Sequence, residues 1–201
     1  MRLNRQLQNA NTVQQPVGIV LAGGASQRMG RDKALLVLSP GAPDGETLAA
    51  AAARRLAAVC AEVLVADRGR AVVPGLPSLP DGPGRGPAAG LLGAAAARPG
   101  HPLLVLACDL PAVPVALLQE LVSLGADLTL PRWNGGLEPL CAVWGPAALA
   151  RLAERVERGL YALHPLAAEA DLAVRFLEGE RLAAFGPAAE LFRNVNTPED
   201  L

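Results

Sequence analysis

The sequence predicts a three-layer α/β/α fold built on a mostly parallel central sheet. Two observations carry that reading. Short apolar runs at residues 17–21, 62–66 and 103–107 alternate with longer helix-like runs at 47–60, 88–98 and 115–124, the order expected of βα units that share one sheet. The strand-like runs are also nearly continuous in apolar character, as strands must be when helices cover both faces.

Taken in order, residues 1–15 are rich in Asn and Gln, carry two Arg and lack the apolar stretch of a signal peptide. They are expected to form a mobile leader over 1–16, followed by a single domain over 17–201. Val17-Gly18-Ile19-Val20 opens the first strand, which breaks into glycine. The Ala-rich stretches 49–58 and 88–97, interrupted by Arg or Gly, suit water-soluble helices lying on a sheet. Residues 74–87 are Pro or Gly at most positions and predict a stiff surface loop inside the domain. Residues 127–130 and 139–143 flank the turn-like Arg132-Trp133-Asn134-Gly135-Gly136 and predict a hairpin or an edge insertion. A helix over 147–158 and a short strand over 173–177 complete the pattern, and no internal repeat is visible.

Composition narrows the function classes. Of 201 residues 51% are hydrophobic but only 3% aromatic, so the core must consist largely of Ala, Leu and Val. The net charge of −1 excludes a global basic field of the kind that gathers nucleic acid or anionic lipid. Local cations must therefore supply any phosphate binding. No apolar run reaches the length of a membrane span. Cys60, Cys108 and Cys141 are far apart and form no C-x-x-C pair, which argues against a zinc site or a disulfide framework. Three reduced thiols in a cytoplasmic protein are the expectation.

The chemistry begins at Leu21-Ala22-Gly23-Gly24-Ala25-Ser26-Gln27-Arg28-Met29-Gly30-Arg31-Asp32-Lys33. Glycine behind a buried strand lets backbone N–H groups approach an anion without a Cβ in the way. Arg28 and Lys33 add one bidentate phosphate donor and one flexible point charge. Neither the Walker A spacing nor Gly-x-Gly-x-x-Gly is present. A lone Gly-Gly would fit an ordinary strand-to-helix connection equally well.

Ligands of open α/β sheets bind beyond the carboxyl ends of the strands. Asp109 leaves the apolar run Leu103-Leu104-Val105-Leu106 at such an end, placed either to hold a hard cation or to cap a helix beginning near Pro114. Asp81 precedes Gly86-Pro87-Ala88-Ala89-Gly90-Leu91 and is either a ligand contact or a solvated loop residue. Asn194 and Asn196 alternate on one side of an extended segment, while Thr197-Pro198-Glu199-Asp200 reads as a helix start. Glu138 is either a functional acid or a turn carboxylate. His101 and His164 each precede Pro and show no acidic or thiol partner in the sequence. Trp133 and Trp144 read as packing or rim residues.

In combination these motifs resemble a known family. Residues 21–33 are similar to the L-A-G-G-x-S-x-R-M-G-x-D-K signature of the nucleotidyltransferases, which have a Rossmann-like fold, and within them of the molybdenum cofactor guanylyltransferases. Cys108-Asp109-Leu110-Pro111 resembles their metal-binding aspartate motif, and residues 194–201 resemble their N-x-N-T-P-E-D-L close. The resemblance implies transfer of GMP from GTP to the terminal phosphate of molybdenum-carrying molybdopterin, with release of pyrophosphate. It implies Arg28, Lys33 and Asp109 as catalytic residues, with Mg²⁺ on Asp109. Leu21, Ala22, Gly23, Gly24, Lys33, Asp81 and Asp109 would bind the nucleotide, with Asp81 accepting from N1–H and the 2-amino group of the base. Glu138, Pro139, Asn194 and Asn196 would face the acceptor. The implied partners are GTP, molybdenum-molybdopterin and proteins that supply or receive the molybdenum cofactor, with neither nucleic acid nor membrane among them.

The chain departs from the pattern twice. Val65-Ala66-Asp67 stands where the family often has Asn behind the second strand, and Gly159-Leu160-Tyr161 where Arg-rich sequence often follows Gly. Two alternatives accompany this reading. A cytidylyltransferase using CTP would resemble L-A-A-G at the first loop, where this chain has Ala22-Gly23-Gly24. A non-catalytic adaptor with the nucleotide fold is the other, against which Lys33 and Asp109 argue.

Overall fold

A computed structural model describes residues 14–23, 32–38 and 45–200. Eight strands form one sheet: β1 (Val17–Leu21), β2 (Val63–Ala66), β3 (Ser78–Leu79), β4 (Leu103–Ala107), β5 (Leu128–Trp133), β6 (Gly136–Leu137), β7 (Cys141–Trp144) and β8 (Val174–Leu177). The helices are α1 (Leu48–Ala57), α2 (Pro87–Ala97), α3 (Val115–Leu124), α4 (Pro146–Glu157), α5 (Gly179–Ala183) and α6 (Ala188–Leu191). The strand order is β3-β2-β1-β4-β7-β5-β6, with β8 on β5. Strands β1 to β4 are mutually parallel, with Ile19 opposite both Leu64 and Val105. Strand β7 is antiparallel to both β4 and β5.

Successive strand residues supply two separate cores, as the pleat requires. Val20, Val65, Leu104 and Leu106 pack under α1 and α3 with Leu56, Leu117 and Leu121. Ile19, Leu64, Leu103 and Val105 pack under α2 and α4 with Leu91, Trp144 and Leu152. The mostly parallel three-layer prediction therefore holds. Local chemistry fixes the helix starts: the Thr47 hydroxyl accepts from the Ala50 amide at 3.2 Å, and Pro87 and Pro146 occupy first-turn positions, where a missing N–H costs nothing.

Several expectations need correction. Residues 139–143 do not sit at an edge, because β7 lies inside the sheet between β4 and β5. Its residues Cys141 to Trp144 are all buried; the two runs flanking the turn do pair antiparallel, over Leu128↔Trp144 and Thr129↔Val143, and the far end of β5 turns back on itself as a tight hairpin with β6. The Pro/Gly stretch 74–87 is not loop throughout, since Ser78 and Leu79 pair with β2 and form the far edge strand. Glu62 precedes its strand and pairs with Arg98. The short helices α5 and α6 and the 3₁₀ turn Lys33–Leu35 are too brief to leave a periodic signal. Of the expected leader, residues 1–13 lie outside the described residues, while Pro16 is already buried. Among the described residues no helix is long and apolar enough to cross a membrane.

Candidate active site

From β1 the chain passes outward to β2 and β3, then returns to β4 on the other side of β1. The carboxyl ends of the parallel neighbours β1 and β4 therefore lie at the point where strand order reverses, the place at which open α/β sheets form a crevice. A cavity of about 350 Å³ lies there, with Leu21, Gly23, Lys33, Ala66, Arg68, Asp81, Gly86, Gly90, Asp109 and Leu140 in its wall.

Lys33 and Asp109 meet across this crevice as an ion pair, although they are 76 residues apart in sequence. Each is held from behind. The Asp32 carboxylate accepts from the Ala34 amide at 3.1 Å and starts the 3₁₀ turn that carries Lys33. The Asp109 carbonyl accepts from the Val195 amide at 2.9 Å, and the buried Arg55 guanidinium donates to the neighbouring Leu110 carbonyl at 3.3 Å. Asp109 does not cap α3, whose N-terminal position is Pro114 with no side-chain cap.

Asp81 faces the same cavity from the segment between β3 and α2. The Gly82 amide donates to the Ala89 carbonyl at 2.8 Å, and a Cβ on Gly93 would stand 2.3 Å from the Pro80 carbonyl oxygen. Glycine at 93 is thus what lets the Asp81 segment rest directly on α2. At Gly90 a Cβ would be 3.0 Å from a Leu21 methyl, so the helix also lies close to the first strand.

The Asn194-Val195-Asn196 segment runs alongside Asp109 through its Val195 bond. Val195 is buried and both Asn are exposed. Asp200 accepts from the Asn196 and Thr197 amides at 2.9 and 2.8 Å, which closes the helix start as a capping box does. These bonds hold its carboxyl below the ordinary carboxylate range.

Glu138 and Pro139 lie between β6 and β7. Pro139 is buried, and its carbonyl accepts from the Trp144 indole at 3.0 Å; the sequence expectation of an acceptor contact falls here on a residue that is packed away. Glu138 accepts from the Trp133 indole at 3.4 Å. Burial pushes its carboxyl above the usual range, and the Asp109 charge adds to this, while the Trp133 bond and nearby His164 oppose it. A carboxyl raised in the folded state lends stability below its ordinary pKa and loses it as pH rises through the folded value. Glu138→Gln is therefore expected to gain in melting temperature relative to the parent as pH rises above about 4.3, the ordinary glutamate value. Melting temperatures of the two proteins that run parallel above that pH would contradict this.

Trp133 also stacks on Phe192, with centroids 6.1 Å apart, and borders a second, open cleft of about 710 Å³ beyond the hairpin. Trp144 is core. The cysteines carry free, buried thiols, and burial pushes those of Cys60 and Cys108 up to about 12. Arg28 and Gly24 lie outside the described residues.

The sequence profile of the MobA-like NTP transferase domain matches residues 18–172, from β1 to the segment just before β8. The chain belongs to the MobA-like NTP transferase family. It is 33% identical over 201 residues to the probable molybdenum cofactor guanylyltransferase of Pelotomaculum thermopropionicum, covering 93% of this chain and 90% of that one. A similar protein of Opitutus terrae, also named a probable molybdenum cofactor guanylyltransferase, is 40% identical over 151 residues, 71% of this chain and 72% of the relative. The crystal structure of molybdopterin-guanine dinucleotide biosynthesis protein A from Archaeoglobus fulgidus has the same fold, with a TM-score of 0.73, 23% identity and coverage of 92% of this chain and 94% of that one.

Within this MobA-like NTP transferase domain, Lys33, Asp81 and Asp109 from the sequence motifs share one cavity with Leu21 and Gly23. Ala22 stands just behind it, buried. Glu138, Asn194 and Asn196 are not in the cavity wall; Val195, between the two Asn, donates to the Asp109 carbonyl, and the Asp109 charge acts on Glu138. Among the described residues no group of three or more His, Cys, Asp or Glu side chains is placed to hold a metal. Asp109 offers a hard carboxylate oxygen, a donor that fits Mg²⁺, which takes one or two carboxylates and completes its shell with substrate phosphates and water.

Two site residues carry no motif. Arg68 lines the cavity and donates to Asp81 Oδ2 at 2.9 Å. Arg70 donates to the Asp67 carbonyl at 2.7 Å, to the Ala22 carbonyl and to the Asp32 carboxylate, and so ties residues 22 and 32 together. Their only trace in the sequence is the charged run Asp67-Arg68-Gly69-Arg70 directly behind an apolar strand. Asp67 itself is fully buried and holds that turn, accepting from the Gly69 and Val72 amides at 3.2 and 2.8 Å and from the Ser78 hydroxyl. The Tyr161 departure lies beside the loop before α2, with the Arg85 guanidinium 5.8 Å from its ring centroid.

Proposed function

We propose that the chain transfers GMP from GTP to the terminal phosphate of molybdenum-carrying molybdopterin. The observation that carries this reading is the meeting of Lys33 and Asp109 in one cavity with Asp81, and the names of the full-length relatives support the substrates. An oxygen of the acceptor phosphate attacks the α-phosphorus of GTP, and a new P–O bond forms. The bond from the α-phosphorus to the α–β bridging oxygen breaks, and pyrophosphate leaves with the electron pair. No covalent enzyme intermediate is needed, because such transfers depend on positioning and charge stabilisation.

In this reading Lys33 exchanges its Asp109 contact for triphosphate oxygens, and Arg28 adds a second cation. Asp109 would hold Mg²⁺, which would supply further charge neutralisation on the phosphates. Asp81 receives the base against the start of α2, while Glu138, Asn194 and Asn196 face the acceptor, which enters from the side of Trp133 and the open cleft.

Calorimetry of GTP and CTP, each with and without Mg²⁺, tests the nucleotide half. Binding of GTP that needs Mg²⁺ and exceeds that of CTP by at least about tenfold, one charge-assisted hydrogen bond's worth, is the expected result. Tighter binding of CTP would assign the chain to cytidylyl transfer. Binding of neither would favour an adaptor without catalysis.

A further inference from the structure

We propose that Arg68 sets which base edge the cavity reads, by sharing the Asp81 carboxylate with the ligand and selecting 6-oxopurine nucleotides without regard to a 2-amino group. The inference rests on the guanylyl reading above. Arg68 stands on the cavity wall with its Nε 2.9 Å from Asp81 Oδ2. Its backbone has φ +65, a region that a non-glycine residue enters at a cost of order 1 kcal/mol. Glycine would occupy that position without strain, and one follows immediately at 69. The buried Asp67 carboxylate holds the turn in that shape through Gly69, Val72 and Ser78, and the Gly69 amide also donates to the Leu79 carbonyl at 3.1 Å. Asp81 is fixed equally well by the packing of residues 80–82 on α2. Both members of the pair therefore stand on rigid supports, as a recognition contact requires. Their side chains are 42% and 32% exposed, and a pair so accessible to water stabilises a fold little.

The hydrogen-bond inventory then decides what such a pair recognises. Each Asp81 oxygen can accept twice; Oδ2 already accepts from Arg68, so Oδ1, which has no donor among the described residues, is the oxygen that takes a ring N–H of the ligand without competition. The remaining guanidinium N–H groups are donors only and suit a carbonyl next to that ring N–H. Among the purines, a ring N–H beside a carbonyl is the edge shared by guanine and hypoxanthine; uracil carries it on a smaller ring. Adenine presents a ring acceptor to the carboxylate and an amino donor to the guanidinium, and both contacts are repulsive. The 2-amino group of guanine lies on the other side of N1–H, away from Arg68, and gains no paired carboxylate oxygen. The sequence expectation that both Asp81 oxygens grip guanine is replaced by one oxygen and one guanidinium.

The test is calorimetric binding of GTP, ITP and ATP, with Mg²⁺, to the wild type and to Arg68→Gly, a variant whose new residue is at home at that φ. For the wild type GTP and ITP should bind within about threefold of each other and ATP at least about tenfold more weakly, the value of one charge-assisted hydrogen bond. In Arg68→Gly the freed Asp81 oxygen can take the 2-amino group. The preference for GTP over ITP should then rise to about tenfold, with the melting temperature unchanged or higher. A wild type that already prefers GTP over ITP by tenfold or more would overturn the proposal. So would an Arg68→Gly variant that weakens all three nucleotides by the same factor, which would make Arg68 a phosphate contact. Absence of GTP binding by the wild type would overturn the guanylyl reading itself, whereas GTP binding with either other pattern overturns only the role of Arg68.

Discussion

Asp109→Asn is expected to lower pyrophosphate release from GTP by about 10²–10³-fold, the cost of removing one preorganised charge contact at a transferring phosphoryl group, while leaving the fold intact. The substitution keeps the size of the side chain and a carbonyl oxygen able to accept from Lys33, so the ion pair of the ligand-free protein becomes a neutral-acceptor hydrogen bond. The loop itself is held by backbone groups that the change does not touch, since Val195 binds the Asp109 carbonyl and Arg55 binds the Leu110 carbonyl. What is lost is a hard anionic oxygen at the end of β4, the group on which Mg²⁺ binding depends in this account. Rates should be measured beside melting curves. Undiminished turnover with unchanged melting would remove Asp109 from the chemistry.

The second large effect falls on a glycine that offers no chemical group of its own. Gly93→Ala places a methyl group 2.3 Å from the Pro80 carbonyl oxygen and 2.9 Å from the Gly82 amide, and neither backbone atom can turn aside as a flexible side chain would. The segment carrying Asp81 must lift from α2, at an expected cost of about 3 kcal/mol in stability, the upper end of ordinary overpacking. GTP affinity should fall with it, by about tenfold if one charge-assisted contact to the base is lost. Gly90→Ala provides the comparison, because its methyl would meet a Leu21 methyl carbon at 3.0 Å, which can move, and the Ala66 Cβ at an ordinary 3.6 Å. Denaturant unfolding of the two variants should show Gly93→Ala to be clearly the weaker. Equal stability would mean that the contact between loop and helix is not what positions Asp81.

The fold was readable where the hydrophobic pattern is strong. Runs 17–21 and 103–107 are strands over those same residues and 115–124 is a helix, because continuous apolar strands and a helix with Leu117, Leu118, Leu121 and Leu124 facing inward leave little choice of period. The register of β7 was not readable. Its residues Cys141-Ala142-Val143-Trp144 read the same way as an edge strand or an interior one, and only pairing with β4 over Leu103↔Trp144 to Leu106↔Cys141 reveals that it fills the middle of the sheet. Ser78 and Leu79 were hidden for another reason: two residues of strand among prolines and glycines leave no alternation to detect.

At the site, motif spacing brought out Lys33, Asp81 and Asp109, and topology brings them together at the switch between β1 and β4. Arg68 and Arg70 stayed hidden because an arginine in a turn resembles any solvated charge until its partners are known. Asp67 is the opposite case. In the sequence it belongs only to a departure from the family pattern, and in the fold it is the buried carboxylate that shapes the turn presenting Arg68. Pro139 shows the limit of carrying a motif over residue by residue, since the backbone of that segment, rather than its ring, does the work by receiving the Trp144 indole.

We propose the crevice between β1 and β4 as the place where GMP is joined to a phosphorylated molybdenum-pterin acceptor. The most direct measurement is mass spectrometry of the products formed by the purified chain with GTP, Mg²⁺ and molybdenum-loaded molybdopterin, alongside a pyrophosphate assay. A guanine dinucleotide form of the acceptor, appearing together with an equal amount of pyrophosphate, is expected. GTP bound tightly but recovered intact, with the acceptor unchanged, would contradict it.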